Sequence, residues 1–366
     1  MANHASRSPV RRWILGALSL AMVGGHAVAS GCSAGFAPIS QLDGLRILAV
    51  QADQPYAVLP ACTGDEPCPP APKVTFRMTY ADTKNRVPQI VWLGGCFNPA
   101  GDAYYACYEP LQGLFQNVKD VGDLLDTGLV GIGPQFSLQI PENIISSRPA
   151  PADGAPRYGI AYVFFAACAG HLDVAPAEGT GLAGSFPIGC FDDDNNRLGA
   201  ESFVPGFTQV YVFADGRTNT NPTITGMTIN GEPLPENDSL APDVEACPIA
   251  ESERLGPRGC GRKDPYKECP TYDIAITVPD DVADIDPSGA QPDGKPFKET
   301  VWVDYFSDRG NFAGDARLVN DSIEGLRPDL AVTWIAPPDP GPARIWAVIH
   351  DNRGGQDVIE RLVNVQ

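Results

Sequence analysis

Apolar residues along this chain fall in short runs, and few recur at helical spacing. The runs Arg46 to Gln51, Val74 to Tyr80, Gln89 to Leu93, Phe136 to Ile140, Gly159 to Phe165 and Gln209 to Phe213 are rich in β-branched and aromatic residues. The second half adds Thr223 to Ile229, Tyr272 to Val278, Thr300 to Tyr305, Leu330 to Ile335, Ala343 to Ile349 and Ile359 to Val365. Pro, Gly, Asn or Asp bounds each run, which is how strands are punctuated. In VTFRMTY, alternation sends Val74, Phe76 and Met78 to one face and Thr75, Arg77 and Thr79 to the other. Closely spaced strands with no helices between them predict an all-β chain of antiparallel sandwiches.

The two sets of runs align with each other. Cys62-x5-Cys68-Pro69 precedes VTFRMTY, and Cys260-x8-Cys269-Pro270 precedes YDIAITV. QIVWL, FSLQIP and GIAYVFFAACAG then find counterparts in ETVWV, AVTWIAP and ARIWAVIHDNRGG, each pair in the same order. A closing strand ends each set. Ordered self-similarity of this kind marks a repeated unit. It predicts two immunoglobulin-like domains, 45–217 and 220–366, joined through DGRTNTN at 215–221. The alignment makes Trp92 and Trp302 the matching core anchors. The Gly-rich DNRGG reads as a hairpin turn. Long insertions, Asn98 to Gly133 and Ala169 to Pro205, decorate the first domain.

The N-terminus reads as an address. Arg7, Arg11 and Arg12 precede an apolar run from Trp13 to Val23, long enough for a signal-peptide core and too short to span a bilayer. Ala27-Val28-Ala29 fits a plain secretory cleavage site. Ala29-Ser30-Gly31-Cys32 resembles a bacterial lipobox, with Ala29 where Leu is more usual. The lipoprotein reading makes 1–31 the signal peptide, Cys32 the lipidated residue and 32–44 a tether reaching at most about 40 Å.

Composition narrows the partners. The chain carries 26 basic and 45 acidic residues, a net charge of −19, and the first 31 residues hold three arginines and no acid. So acidic a protein lacks the basic face that nucleic acid requires. Ten cysteines in an exported chain imply disulfides. Sequence order suggests the pairs Cys62–Cys68, Cys96–Cys107 and Cys168–Cys190, although order does not prove connectivity. If Cys32 is lipidated, nine remain, and the odd one falls among Cys247, Cys260 and Cys269. Cys260 and Cys269 are further bridge candidates. No C-x-x-C spacing favours zinc.

Catalytic signatures are missing. No G-x-S-x-G elbow, H-E-x-x-H helix or P-loop occurs in a suitable context. Beyond the signal, His171 and His350 are the histidines, and both read as loop or hairpin-end residues. Two acidic loops offer hard oxygen ligands for calcium. Asp192, Asp194 and Asn196 echo the start of an EF-hand, as do Asp284 and Asp286, and both loops lack its later ligands. Turn formation explains such residues equally well.

The segments GLRILAVQADQPYAVLP, YGIAYVFFAACAG, LGAESFVPGFTQVYVFADG and NTNPTITGMTING resemble a family of uncharacterised, lipobox-bearing envelope lipoproteins of Gram-negative bacteria. The resemblance covers most of the chain beyond residue 40. It implies immunoglobulin-like (Ig/PKD-like) domains and location in the cell envelope, and it implies no activity. The expectation is thus a non-catalytic protein, lipid-anchored to the outer membrane or envelope, with a structural or adhesive role toward a protein or glycan. Its rivals are a secreted calcium-dependent binding module and an envelope hydrolase.

Overall fold

The computed structural model describes residues 38–60, 70–111, 125–149, 151, 155–174, 188–256 and 259–366. The signal segment, Cys32, Cys62 and Cys68 lie outside them. The first half forms β1 (Leu45–Ala52), β2 (Tyr56–Ala57), β3 (Lys73–Asp82), β4 (Gln89–Phe97), β5 (Val130–Ile132), β6 (Gln135–Gln139), β7 (Tyr158–Cys168), β8 (His171–Val174), β9 (Ile188–Phe191) and β10 (Phe203–Phe213). The second half forms β11 (Gly226–Ile229), β12 (Glu232–Pro233), β13 (Asp243–Val244), β14 (Leu255–Gly256), β15 (Gly259–Cys260), β16 (Thr271–Thr277), β17 (Ile285–Ala290) and β18 (Pro296–Lys298). Then come β19 (Val301–Ser307), β20 (Asn311–Ala313), β21 (Ala316–Asp321), β22 (Gly325–Leu326), β23 (Val332–Ile335), β24 (Gly341–Asp351) and β25 (Gln356–Val365). Among the described residues no helix is long and apolar enough to cross a membrane.

Each half stacks a smaller sheet on a larger one. In the first, β1-β3-β6 faces β2-β10-β7-β4-β5; in the second, β12-β11-β16-β23-β20 faces β13-β25-β24-β19-β21-β22. The shared part of the strand order is the same. The first long strand pairs with the next in one sheet, and a two-residue strand pairs in parallel with the last strand of the other: β2 with β10, β13 with β25. This is an immunoglobulin-like β-sandwich order.

The cores follow the alternation. Val74, Phe76 and Met78 of β3 are buried with Trp92, Leu138, Val163 and Val210 between the first pair of sheets. Ile274, Ile276, Val303, Tyr305, Trp334, Ile345 and Ile349 fill the second. Trp92 is fully buried and donates its indole N–H to the Gly133 carbonyl at 2.7 Å. Trp302 corrects the repeat alignment. It is half-exposed and stacks on His350, while Val301 and Val303 on either side point into the core. A one-residue offset in a strand exchanges its faces, and Trp334 fills the second core instead.

β10 starts at Phe203, earlier than its punctuation suggests, because Pro205 and Gly206 lie inside it. β10 pairs with β7 over its whole length and with β2 only at Tyr211 and Val212. The other edge beside Pro205 is unpaired, which is where a strand tolerates a proline.

The two sandwiches pack side by side. Leu42, Leu48, Ala49 and Ala81 from the first meet Trp346 and Val348 from the second in a shared apolar cluster. Leu48 is the residue skipped where the β1–β3 register shifts. Before entering β1, the chain docks on the second sandwich: Leu42 N–H donates to Ser307 O, and Ser307 N–H donates to Ser40 O, both at 2.8 Å. The stretch expected to be tether is therefore bound to the fold from about residue 40 onward.

Candidate functional site

The first insertion folds back over the outer face of the larger first sheet. Cys96, at the end of β4, is bonded to Cys107. That bond holds a short 3-10 turn, Tyr104–Cys107, against the sheet. Leu93, Ile160, Tyr162, Phe164 and Leu111 pack beneath it as a second, smaller core.

A polar brace supports the same loop. Arg148 donates two hydrogen bonds to the Asp102 carboxylate, at 2.6 and 2.7 Å, and the Tyr158 hydroxyl donates to Asp102 Oδ2 at 2.5 Å. The Arg148 guanidinium lies 4.0 Å from the centre of the Tyr158 ring. The Tyr162 hydroxyl donates to the Asp102 carbonyl at 2.7 Å. Hydrogen bonds from Arg148 hold the Asp102 carboxyl below its ordinary range, and donation to Asp102 pushes the Tyr158 hydroxyl up. Planar, bidentate pairing of this kind is strongly directional. It fixes where the following tyrosines stand.

Beside this loop lies a groove of about 490 Å³, lined by Tyr104, Tyr108, Phe164, Phe165, Phe203 and Phe207 among others. Its lining is mostly carbon. Tyr104 and Phe207 stack at 4.4 Å between centroids and remain 38% and 42% exposed. Tyr108 and Phe164 approach at 5.9 Å, as do Tyr162 and Phe207 at 5.8 Å. Gly206 lets Phe165 lie flat across β10: a Cβ there would come 2.4 Å from Phe165 Cζ. Burial beside Tyr104 pushes the Tyr108 hydroxyl above its usual value. Aromatic faces held open in this way offer large contact area at low entropy cost.

The second insertion forms the far wall. Cys168 at the end of β7 is bonded to Cys190, which holds the β8–β9 hairpin and brings Ile188 to the groove. Asp192, Asp194 and Asn196 lie in the turn that follows. Asp192 accepts the N–H groups of Asp194 and Asn196 and the Asn196 side-chain amide, at 2.8 to 3.0 Å. These bonds hold its carboxyl below the ordinary value. The turn carries Arg197 to the groove wall.

Other sequence candidates fall elsewhere. Asp284 accepts the Thr220 N–H at 3.0 Å in the inter-sandwich linker, and Asp286 lies in β17 of the second sandwich. The described residues hold no group of three or more His, Cys, Asp or Glu placed to share a metal ion. Cys269 is bonded to Cys247, so its partner is not Cys260. Cys260 lies in β15, and its side chain is outside the described part. His350 Nε2 lies 3.4 Å from Asp304 Oδ2 on the outer face of the second sandwich. His171 lies beside Phe191 on the β8–β9 hairpin. The two histidines are thus on different sandwiches, and neither lines the groove.

Sequence reasoning pointed to the insertions and missed Tyr104, Tyr108 and Phe207. One signal was available. A Tyr-Tyr pair in a Gly/Pro-bounded loop, bracketed by cysteines eleven residues apart, is an aromatic cluster that a core does not require.

No protein-family model and no curated protein matches the chain. Among solved structures, the fibronectin(III)-like modules of Clostridium thermocellum CbhA match at 11% identity, covering 87% of this chain and 93% of that one, with a TM-score of 0.20. Escherichia coli alpha-2-macroglobulin activated by porcine elastase matches at 10% identity over 90% of this chain and 22% of its own length, with a TM-score of 0.21. A 1.5-MDa bacterial ice-binding adhesin matches at 10% identity, covering 89% and 66%, with a TM-score of 0.18. At these scores the superpositions carry no argument, and the sandwich assignment rests on the strand order.

Proposed function

We propose that this chain is an exported, non-catalytic binding module whose working surface is the aromatic groove of the first sandwich. Disulfides within both halves are those of a protein folded in an oxidising compartment. The observation that carries the reading is the exposed, stacked Tyr104–Phe207 pair, braced from behind by the Cys96–Cys107 bridge and the Asp102–Arg148–Tyr158 cluster. Among the described residues that line it, only Tyr104, Tyr108 and Arg197 bear side-chain polar atoms besides the Trp92 indole, whose N–H is already bonded to Gly133. So carbon-rich a lining fits an extended protein segment bearing aliphatic or aromatic side chains better than a hydroxyl-covered glycan.

In this reading Cys32 carries the lipid, and the envelope membrane is the anchor. With docking on the second sandwich by residue 40, the slack between Cys32 and the fold is about 25 Å, shorter than the whole tether. The fold is then held close to the membrane, among other envelope proteins. The test is a peptide display library and a glycan array, each screened with the intact exported protein. The expected result is enrichment of apolar or aromatic peptides, with at least tenfold weaker binding by Phe207→Ala and Tyr104→Ala. Selection of glycans alone, or full binding by both variants, would overturn the reading. Mass of the protein taken from its native membrane tests the anchor: an acylated chain starting at Cys32 is expected, and an unmodified chain starting at Ser30 refutes it.

A further inference from the structure

The hairpin turn between β24 and β25 does more than reverse the chain. Asp351 and Arg353 are buried there, together with Glu299 at 1% exposure and Asn219 of the linker. Arg353 donates from Nε to Glu299 Oε1 at 2.5 Å and from Nη1 to the Thr218 carbonyl at 3.3 Å. Asp351 Oδ1 accepts the N–H groups of Arg353 and Gly355, and its Oδ2 accepts Asn219 Nδ2 at 3.1 Å. Asp284 receives the Thr220 N–H, and its own N–H donates to Glu299 Oε2 at 2.8 Å. Asn221 reaches both sandwiches: it accepts the Gln356 N–H and donates to the Ala52 carbonyl. From the first sandwich, the Tyr56 ring lies 5.4 Å from the Arg353 guanidinium. Three consecutive linker residues, Thr218 to Thr220, are thus tied to one ionic cluster, and Asn221 bridges the two sandwiches beside it.

The cluster is short of positive charge. Two buried carboxylates, Glu299 and Asp351, stand beside one guanidinium, that of Arg353, which bonds Glu299 and meets Asp351 only through its backbone N–H. Among the described residues its Nη2 has no hydrogen-bond partner, and it lies 3.9 Å from Asp284 Oδ2. Asn219 Oδ1 is also buried with no hydrogen-bond partner among the described residues. An under-neutralised, incompletely bonded network in a water-poor site is easily unbalanced by one proton.

We propose that this cluster is a proton-controlled latch between the two sandwiches, closed when Glu299 is neutral and loosened when Glu299 ionises. Burial, then repulsion from Asp351, pushes the Glu299 carboxyl up to about 7, against the opposing pull of Arg353. Asp286 faces the cluster through Tyr56, and Asn320 Nδ2 is bound to the Glu299 carbonyl. His350 projects to the opposite face of its strand, against Trp302 and Asp304. A carboxyl raised in the closed state holds its proton there and releases it on opening. Latch stability is therefore full below the ordinary glutamate range and is lost as pH rises through about 7.

Hydrogen exchange of the intact exported protein tests this, read at the Thr220 and Gln356 amides and corrected for intrinsic rates. Protection is expected to fall about tenfold between pH 5.5 and 8.5. Glu299→Gln, always neutral, should keep the acid-side protection throughout. A flat wild-type profile, or an unchanged slope in Glu299→Gln, would overturn the proposal. If Glu299→Gln does not fold, Asn219→Ala decides. Lower protection at every pH with the slope retained supports the latch, and unchanged protection refutes it.

Discussion

The two sandwiches share a strand order and differ in what covers the outer face of the larger sheet. In the first, the face of β4, β7 and β10 is partly roofed by a disulfide-held loop and otherwise left as an aromatic groove. In the second, the matching face of β19, β24 and β25 is covered in part by the first sandwich itself, through Trp346 and Val348. The same large-sheet face therefore carries an exposed aromatic groove in one copy and packs against the neighbouring sandwich in the other. The difference lies in side chains and insertions, since the strands that both sandwiches have are paired in the same order.

The sharpest way to break the comparison is through its two aligned tryptophans. Trp92→Ala removes a fully buried side chain that packs on Phe76, Phe136 and Phe165. It should cost about 3–5 kcal/mol in urea unfolding. Trp302→Ala removes a half-exposed ring stacked on His350 and should cost about 1 kcal/mol or less. Equal losses would mean that both tryptophans are core anchors after all.

That pair also marks how far the sequence was legible. Strand content, the repeat and the inward set Val74, Phe76 and Met78 all follow from period-two patterning, because one face of each strand must leave water. Trp302 misled because alignment by residue type does not fix register, and one step exchanges faces. The runs in β7 and β24 carried a further signal. Both are nearly continuous in apolar residues, and both are buried almost throughout. A continuous run marks a strand covered on two faces, so a roof over each large sheet was readable. What forms the roof was not, because the loop and the partner sandwich meet the sheet through contacts distant in sequence. The buried latch was hidden for the same reason. DNRGG reads as an exposed turn until the linker and Glu299 are brought to it.

The next largest effect separates the roof from the sheet. Cys96→Ser with Cys107→Ser opens an eleven-residue loop and should cost roughly 2–3 kcal/mol of stability. The loss should be confined to the first sandwich, and ligand binding at the groove should weaken further than stability does, because Tyr104 loses its support. Circular dichroism melts alongside peptide binding measure both. A variant that binds as tightly as the parent would show that the loop is decoration and that the groove works through β10 alone.

The smallest effect is an opposition in pH response. Asp102 in the first sandwich has its carboxyl lowered, chiefly by hydrogen bonds from Arg148. Its contribution is present above the ordinary aspartate value and is lost as pH falls through the lowered one. Asp308 in the second sandwich has its carboxyl raised by burial, although it accepts the Arg344 N–H at 2.8 Å. The native state there holds a proton that the unfolded chain gives up, so its contribution grows as pH falls toward the ordinary value. Asp102→Asn should therefore flatten the acid limb of the melting curve, with a loss of about 1 kcal/mol near neutrality given the partial exposure of the Arg148 pair. Asp308→Asn should steepen that limb and change neutral stability by less. Melting temperatures of both variants from pH 3 to pH 7 decide it. Limbs that shift in the same direction would mean that one of the two carboxyls is not held as its surroundings dictate.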